Sequence, residues 1–159
     1  MVNRDSLPQP TDVPNRRVPE SKSIKLWWNP GSIGTGDVLR FLFGERSETI
    51  AAAKLLIDKM KQADTLSISR YQLRQFAVDL NAGTNGCKYS YHNFYTKLVR
   101  KLLDLGFVEK CMIWNPERRT TVRVYQLRLQ QIPNRPPESG FVRQAWLVAK
   151  GWNDLVKAK

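Results

Sequence analysis

The chain is poor in the side chains that most catalytic and metal chemistry needs. Its 159 residues include one histidine, His92, and two cysteines, Cys87 and Cys111, which stand 24 positions apart with no CxxC spacing. A disulfide framework and a zinc knuckle are therefore unsupported, and both thiols are expected to be reduced. The 14 Asp and Glu are dispersed. No carboxylate pair, nucleophile with its base, or ligand set converges along the sequence. His92 alone reads as a surface or hydrogen-bonded side chain rather than a base. Gly31, Gly34 and Gly36 lie close together, but no Gly-Lys-Ser/Thr follows them, so they read as a turn and not as a phosphate loop. No apolar run approaches the roughly 18 residues of a membrane span, and the first residues lack the apolar core of a signal peptide. These absences predict a non-enzymatic protein with no catalytic residues, no metal and no cofactor. It is expected to be soluble and cytoplasmic, nucleoid-associated if prokaryotic, with no membrane partner.

Positive charge is what the chain has in excess. Lys and Arg number 26, which gives a formal charge of +12 and a pI near 10.1. Such a balance favours a polyanionic partner, nucleic acid first among them. Residues 86–128 hold nine of the cations against three carboxylates, half of the net charge, whereas residues 27–64 are balanced at five and five. At 42% hydrophobic residues the chain can build one ordinary core with appendages.

Residues 1–23 carry four prolines among polar side chains and are expected to form a disordered arm. Ile24, Leu26, Trp27 and Trp28 follow as an extended segment that can pack on the domain. Asp37 can cap a short helix, VLRFLF, that Gly44 ends, and Ser47 with Glu48 opens a longer one to about Gln62. Ile50, Ala53, Ile57 and Met60, with Leu56 alongside, form its core-facing stripe. After the short β-prone TLSI, Ser69 and Gln72 have the form of a capping box for a second long helix, whose stripe is Leu73, Phe76, Ala77 and Leu80. Asn81 to Gly86 are nearly all turn formers. A third helix runs from about Ser90 to Leu105. Its stripe is Phe94, Leu98, Leu102 and Leu105, with Tyr91 and part of Tyr95 also assigned to the core. Asn93, Lys97, Arg100, Lys101 and Asp104 take the other side. Gly106 caps it, and FVEKCMIWN and TTVRVYQLRL then read as a two-stranded hairpin with Arg118 and Arg119 at its tip.

Residues 130–159 comprise a proline-rich linker, IPNRPPES, and a last helix that Ser139 can cap. Phe141, Ala145, Val148, Trp152 and Leu155 make its apolar stripe, with Trp146 and Val156 beside them. The stripe can be buried in two ways: by folding back on the first helix and on Trp27 and Trp28, or by pairing with a second subunit in a homodimer through residues 139–156.

The order helix, short extended piece, helix, turn, helix, hairpin, and above all KLVRKLLDLGFVEK, resembles the winged helix-turn-helix family over roughly residues 48–129. The resemblance implies an α+β, mainly α, fold for residues 24–129: a three-helix core plus a two-stranded β-hairpin wing, here with an extra C-terminal helix. It also implies a non-catalytic protein that binds double-stranded DNA, with helix 90–105 in the major groove and wing 107–129 on the flanking backbone. Carried onto this chain, Tyr89, Ser90, Asn93 and Thr96, with His92, become the base-reading candidates, and Asn93 the first candidate for adenine. Lys97, Arg100 and Lys101 become phosphate contacts, with Asp104 able to serve Arg100 or Lys101 but not all three cations. Arg118 and Arg119 reach phosphate or the adjacent minor groove, and Lys88 and Arg123 are secondary. Sequence-specific transcriptional regulation is the first function expected. The alternatives are a replication initiator, partition or mobile-element accessory protein, and a protein or RNA interaction module of a larger assembly.

Overall fold

The structure, a computed structural model, describes residues 38–158. The expected N-terminal arm, the Trp27–Trp28 segment, the glycine turn and the Asp37 cap lie outside the described residues.

The core is built by helices whose apolar spacing leaves one face for burial. Helix α1 (Val38–Phe43) buries all its apolar side chains and stops at Gly44, whose φ of +73° is a left-handed value that glycine accepts without a Cβ clash. Helix α2 (Ser47–Lys61) buries Ala52, Ala53, Leu56, Ile57 and Met60, whereas Ile50 is only half-buried. Its N-cap is Arg46 and no side chain caps it, so the start expected from Ser47 and Glu48 lies in place but without the side-chain bond. Helix α3 (Arg70–Ala82) carries the full reciprocal cap. Gln72 N donates to Ser69 Oγ at 3.2 Å, and Ser69 N donates to Gln72 Oε1 at 3.1 Å. Its whole stripe of Leu73, Phe76, Ala77 and Leu80 is buried.

The third helical rod departs from a plain α-helix. It consists of α4 (Tyr91–Asn93), a π-helical stretch (Phe94–Val99) and α5 (Arg100–Asp104). Wider turns delay the rotation of the later residues. Val99 consequently joins Phe94, Leu98 and Leu102 in the core, while Leu105 is only half-buried. Tyr91, assigned to the core from the sequence, is instead 39% exposed, because the chain before the rod folds inward and Tyr89 takes the core position. Gly106, at φ +72°, ends the rod, with Phe107 N donating to Leu102 O at 2.9 Å.

Among the described residues a third strand joins the expected two-stranded hairpin. Strands β2 (Val108–Asn115) and β3 (Thr120–Leu127) pair antiparallel along their whole length, from Val108 opposite Leu127 to Asn115 opposite Thr120. The TLSI segment supplies β1 (Ser67–Ser69), which adds to the other edge of β3 and gives the order β1-β3-β2. The hairpin alone would leave that edge of β3 unpaired, and β1 satisfies it at its base.

Helix α6 (Gly140–Lys157) packs on its own domain through its second half. Val148, Trp152 and Val156 are buried. The Trp152 ring stacks on Phe107 at 4.5 Å between centroids, and its indole N–H donates to Arg128 O at 2.8 Å. Asn153 clamps the preceding linker, accepting from Gln130 N at 2.7 Å and donating to Gln130 O at 2.8 Å. The first half of the expected stripe is not part of this contact: Phe141 is 72% exposed and Ala145 is exposed too. Ser139 occupies the N-cap position in extended conformation without a side-chain cap bond, so its expected capping role is not fulfilled.

Candidate nucleic-acid interface

The residues singled out on and just before the third rod fall into four groups. Tyr89 is removed from the candidates. It is 5% exposed, belongs to the core, and its phenol oxygen accepts from Thr49 Oγ1 at 3.2 Å. The sequence placed it at the start of an exposed helix, but the Asn81–Gly86 turn ends with Tyr89 N donating to Leu80 O at 3.0 Å, which folds the segment inward first.

Ser90, His92, Thr96 and Arg100 lie on the exposed side. Ser90 caps the rod, its hydroxyl accepting from Asn93 N at 3.5 Å. Thr96 Oγ1 donates to His92 O at 2.8 Å, so its proton is committed to the helix and its oxygen is left as an acceptor. Arg100 pairs with Asp104 at 3.7 Å, the partner expected from the i,i+4 spacing, and both side chains are about half exposed.

Asn93 and Lys97 line a groove of about 300 Å³ against Glu45, Arg46, Ser47, Glu48 and Thr49 of the α1–α2 corner. Asn93 is half-buried there rather than fully outward. Glu45 is neutralised by Arg40 at 2.7 Å. Cys87 Sγ donates to Glu48 O at 3.8 Å; burial first, and the Glu48 charge second, push its thiol pKa up, which keeps it a weak nucleophile. Lys101 turns back over the Phe43 ring, 5.6 Å from its centroid, and burial lowers its pKa. It is therefore not a fully outward phosphate ligand, as its helical phase had suggested.

The hairpin tip keeps its cations outside. Asn115 Oδ1 accepts from Glu117 N at 3.0 Å and from Arg118 N at 3.1 Å, a side-chain-made turn that shapes the four-residue loop. Arg119 has φ +49°, a left-handed conformation unusual for a side chain of this size. Arg118, Arg119 and Arg123 are exposed, and among the described residues no carboxylate lies within ion-pair distance of them or of Lys97. The secondary candidate Lys88 is exposed as well.

Trp114 and Met112, 61% and 57% exposed on β2, were not singled out from the sequence. Strand alternation carried the signal: Val108, Lys110, Met112 and Trp114 share one face of a strand about 27 Å long, and of the four only Val108 is buried. Comparison of the chain with models of known families, with curated proteins and with solved structures finds no match.

Proposed function

We propose that the protein is a non-catalytic, winged-helix-like binder of double-stranded DNA, most simply a sequence-specific transcriptional regulator. The observation that carries this is the set of exposed cations without carboxylate partners among the described residues: Lys97 on the rod, and Arg118, Arg119 and Arg123 on the hairpin. Placing such side chains on phosphates releases counterions, whereas a merely solvated face tends to pair them with acids. The β1-β3-β2 sheet behind α2, α3 and the rod supports a winged-helix arrangement, in which rod and hairpin both approach a duplex. Ser90, His92 and Thr96 offer base-edge contacts, Asn93 can join them from the groove rim, and Lys97 with the hairpin arginines carries most of the phosphate affinity.

Selection of bound duplexes from a random pool tests the proposal. Enrichment of a defined motif is expected. Retention of duplexes with no motif would replace regulation by architectural binding, and no retention would remove the duplex-binding assignment altogether.

A further inference from the structure

An aromatic strip runs from the rod onto the hairpin, and duplex binding gives it no role. Tyr91 and Tyr95 lie 5.1 Å apart between ring centroids, with their rings tilted at 58°. Tyr125 of β3 and Arg74 of α3 are close enough to act electrostatically on the Tyr95 phenol. The Lys110 ammonium sits 5.7 Å from the Tyr125 ring centroid. From there the strand register carries the strip outward, with Lys110 opposite Tyr125, Met112 opposite Arg123, and Trp114 opposite Thr121. Directly opposed residues of antiparallel strands project to the same face, so these side chains are neighbours.

Only the base of that face serves the core. Val108, Leu127 and Ile68 are buried and Tyr125 packs half-buried against the core, whereas Lys110, Met112, Trp114 and Arg123 are exposed. A duplex keeps its bases stacked and shows protein their edges, so it has no π-face to offer Trp114 or Tyr91. An unpaired strand offers base faces and phosphates in alternation, which matches rings interleaved with cations.

We propose that this strip, Trp114 and Tyr91 edged by Lys110 and Arg123, with the half-buried Tyr125 supporting it beneath Lys110, is a binding track for single-stranded DNA, in which bases stack on the exposed rings and phosphates lie on the cations. The choice of DNA over RNA rests on the duplex-binding proposal above; the stacking itself does not. A protein that grips a duplex with its rod and an unpaired strand with its hairpin face is suited to sites where a duplex is opened.

The test measures binding of the full chain to oligo-dT, to oligo-U of the same length and to a duplex, by fluorescence anisotropy over a range of salt. Trp114→Ala is expected to weaken oligo-dT binding about tenfold, the scale of one lost base stack, while leaving the salt slope unchanged because no cation is removed. Trp114→Phe should keep most of the affinity. Arg123→Ala should flatten the slope, and the duplex affinity of Trp114→Ala should stay near that of the wild type. Circular dichroism of each variant checks folding, which an exposed position should preserve. Unchanged oligo-dT binding in Trp114→Ala, or an equal loss on duplex and single strand, would overturn the track. Tighter binding of oligo-U than of oligo-dT would overturn its assignment to DNA. Arg123 borders both surfaces, so duplex binding is tested separately through Lys97, Arg118 and Arg119, which lie outside the track, and the two proposals can fail independently at Trp114 and at these three cations.

Discussion

The Lys101 ammonium lies 5.6 Å from the centre of the Phe43 ring of α1, whereas its sequence neighbours Lys97 and Arg100 are exposed. This contact divides cations that look equivalent in the sequence. Lys101→Ala is expected to lower stability by about 0.5–1 kcal/mol, the scale of a partly exposed cation–π contact, with little change in the salt dependence of duplex binding. Lys97→Ala should do the reverse, shifting stability by less than about 0.5 kcal/mol and reducing the salt slope by about one. Urea unfolding and salt titration on the same two variants read both quantities.

Arg119 holds a left-handed backbone at the hairpin tip, with φ +49°. Glycine accepts that conformation freely, whereas a β-branched side chain resists it. Arg119→Gly is expected to leave stability within about 0.5 kcal/mol of the wild type, its relief of strain offset by added freedom of the unfolded chain. Arg119→Val should cost about 1–2 kcal/mol. Both remove the cation, so both should weaken duplex binding equally. Thermal unfolding and duplex affinity, measured together, separate backbone strain from charge.

Burial, and after it the neighbouring Tyr91 phenol, pushes the Tyr95 pKa up to about 12 from an ordinary value near 10. In the unfolded chain the phenol ionises at the ordinary value, while in the fold it stays protonated. Its contribution to stability is therefore complete below about pH 10 and is lost progressively as pH rises toward 12. Stability from urea unfolding should fall across that alkaline window, and Tyr95→Phe should show a shallower fall. Equal slopes in both proteins would remove Tyr95 as the source.

Trp152 joins α6 to the domain by stacking on Phe107 and by its bond to Arg128 O. Trp152→Ala is expected to cost about 3–5 kcal/mol, as for other large aromatic truncations in a core. Trp152→Phe should cost less, since it keeps the stack and loses the indole donor. Phe141, exposed at the far end of the same helix, should tolerate alanine with less than about 0.5 kcal/mol of change. Differential scanning calorimetry compares the three.

Much of the architecture was legible because it depends on local signals. The Ser69–Gln72 cap, the α3 stripe and Gly106 each state their own geometry, and all three stand where spacing put them. What the sequence concealed depends on tertiary context. The π-helical stretch at Phe94–Val99 has no composition signature, and it changes which side of the rod each later residue occupies. Tyr89 and Tyr91 exchange the roles expected of them because the turn before the rod packs inward, a long-range outcome. The three-residue β1 is too short to announce itself by periodicity and forms only because β3 offers an edge. Of the candidate interface, the tip arginines were visible from their place in a turn, whereas the exposure of Trp114 required knowing how far the hairpin outruns the core.

The most direct measurement of duplex recognition is the affinity of the full chain for a short duplex as a function of salt, compared with the Lys97→Ala, Arg118→Ala, Arg119→Ala triple variant. Wild-type binding should weaken steeply with salt, and the variant should bind more weakly with a slope lower by two to three, about 0.9 for each phosphate contact removed. Identical affinity and slope in the two proteins would contradict the assignment of this surface to DNA.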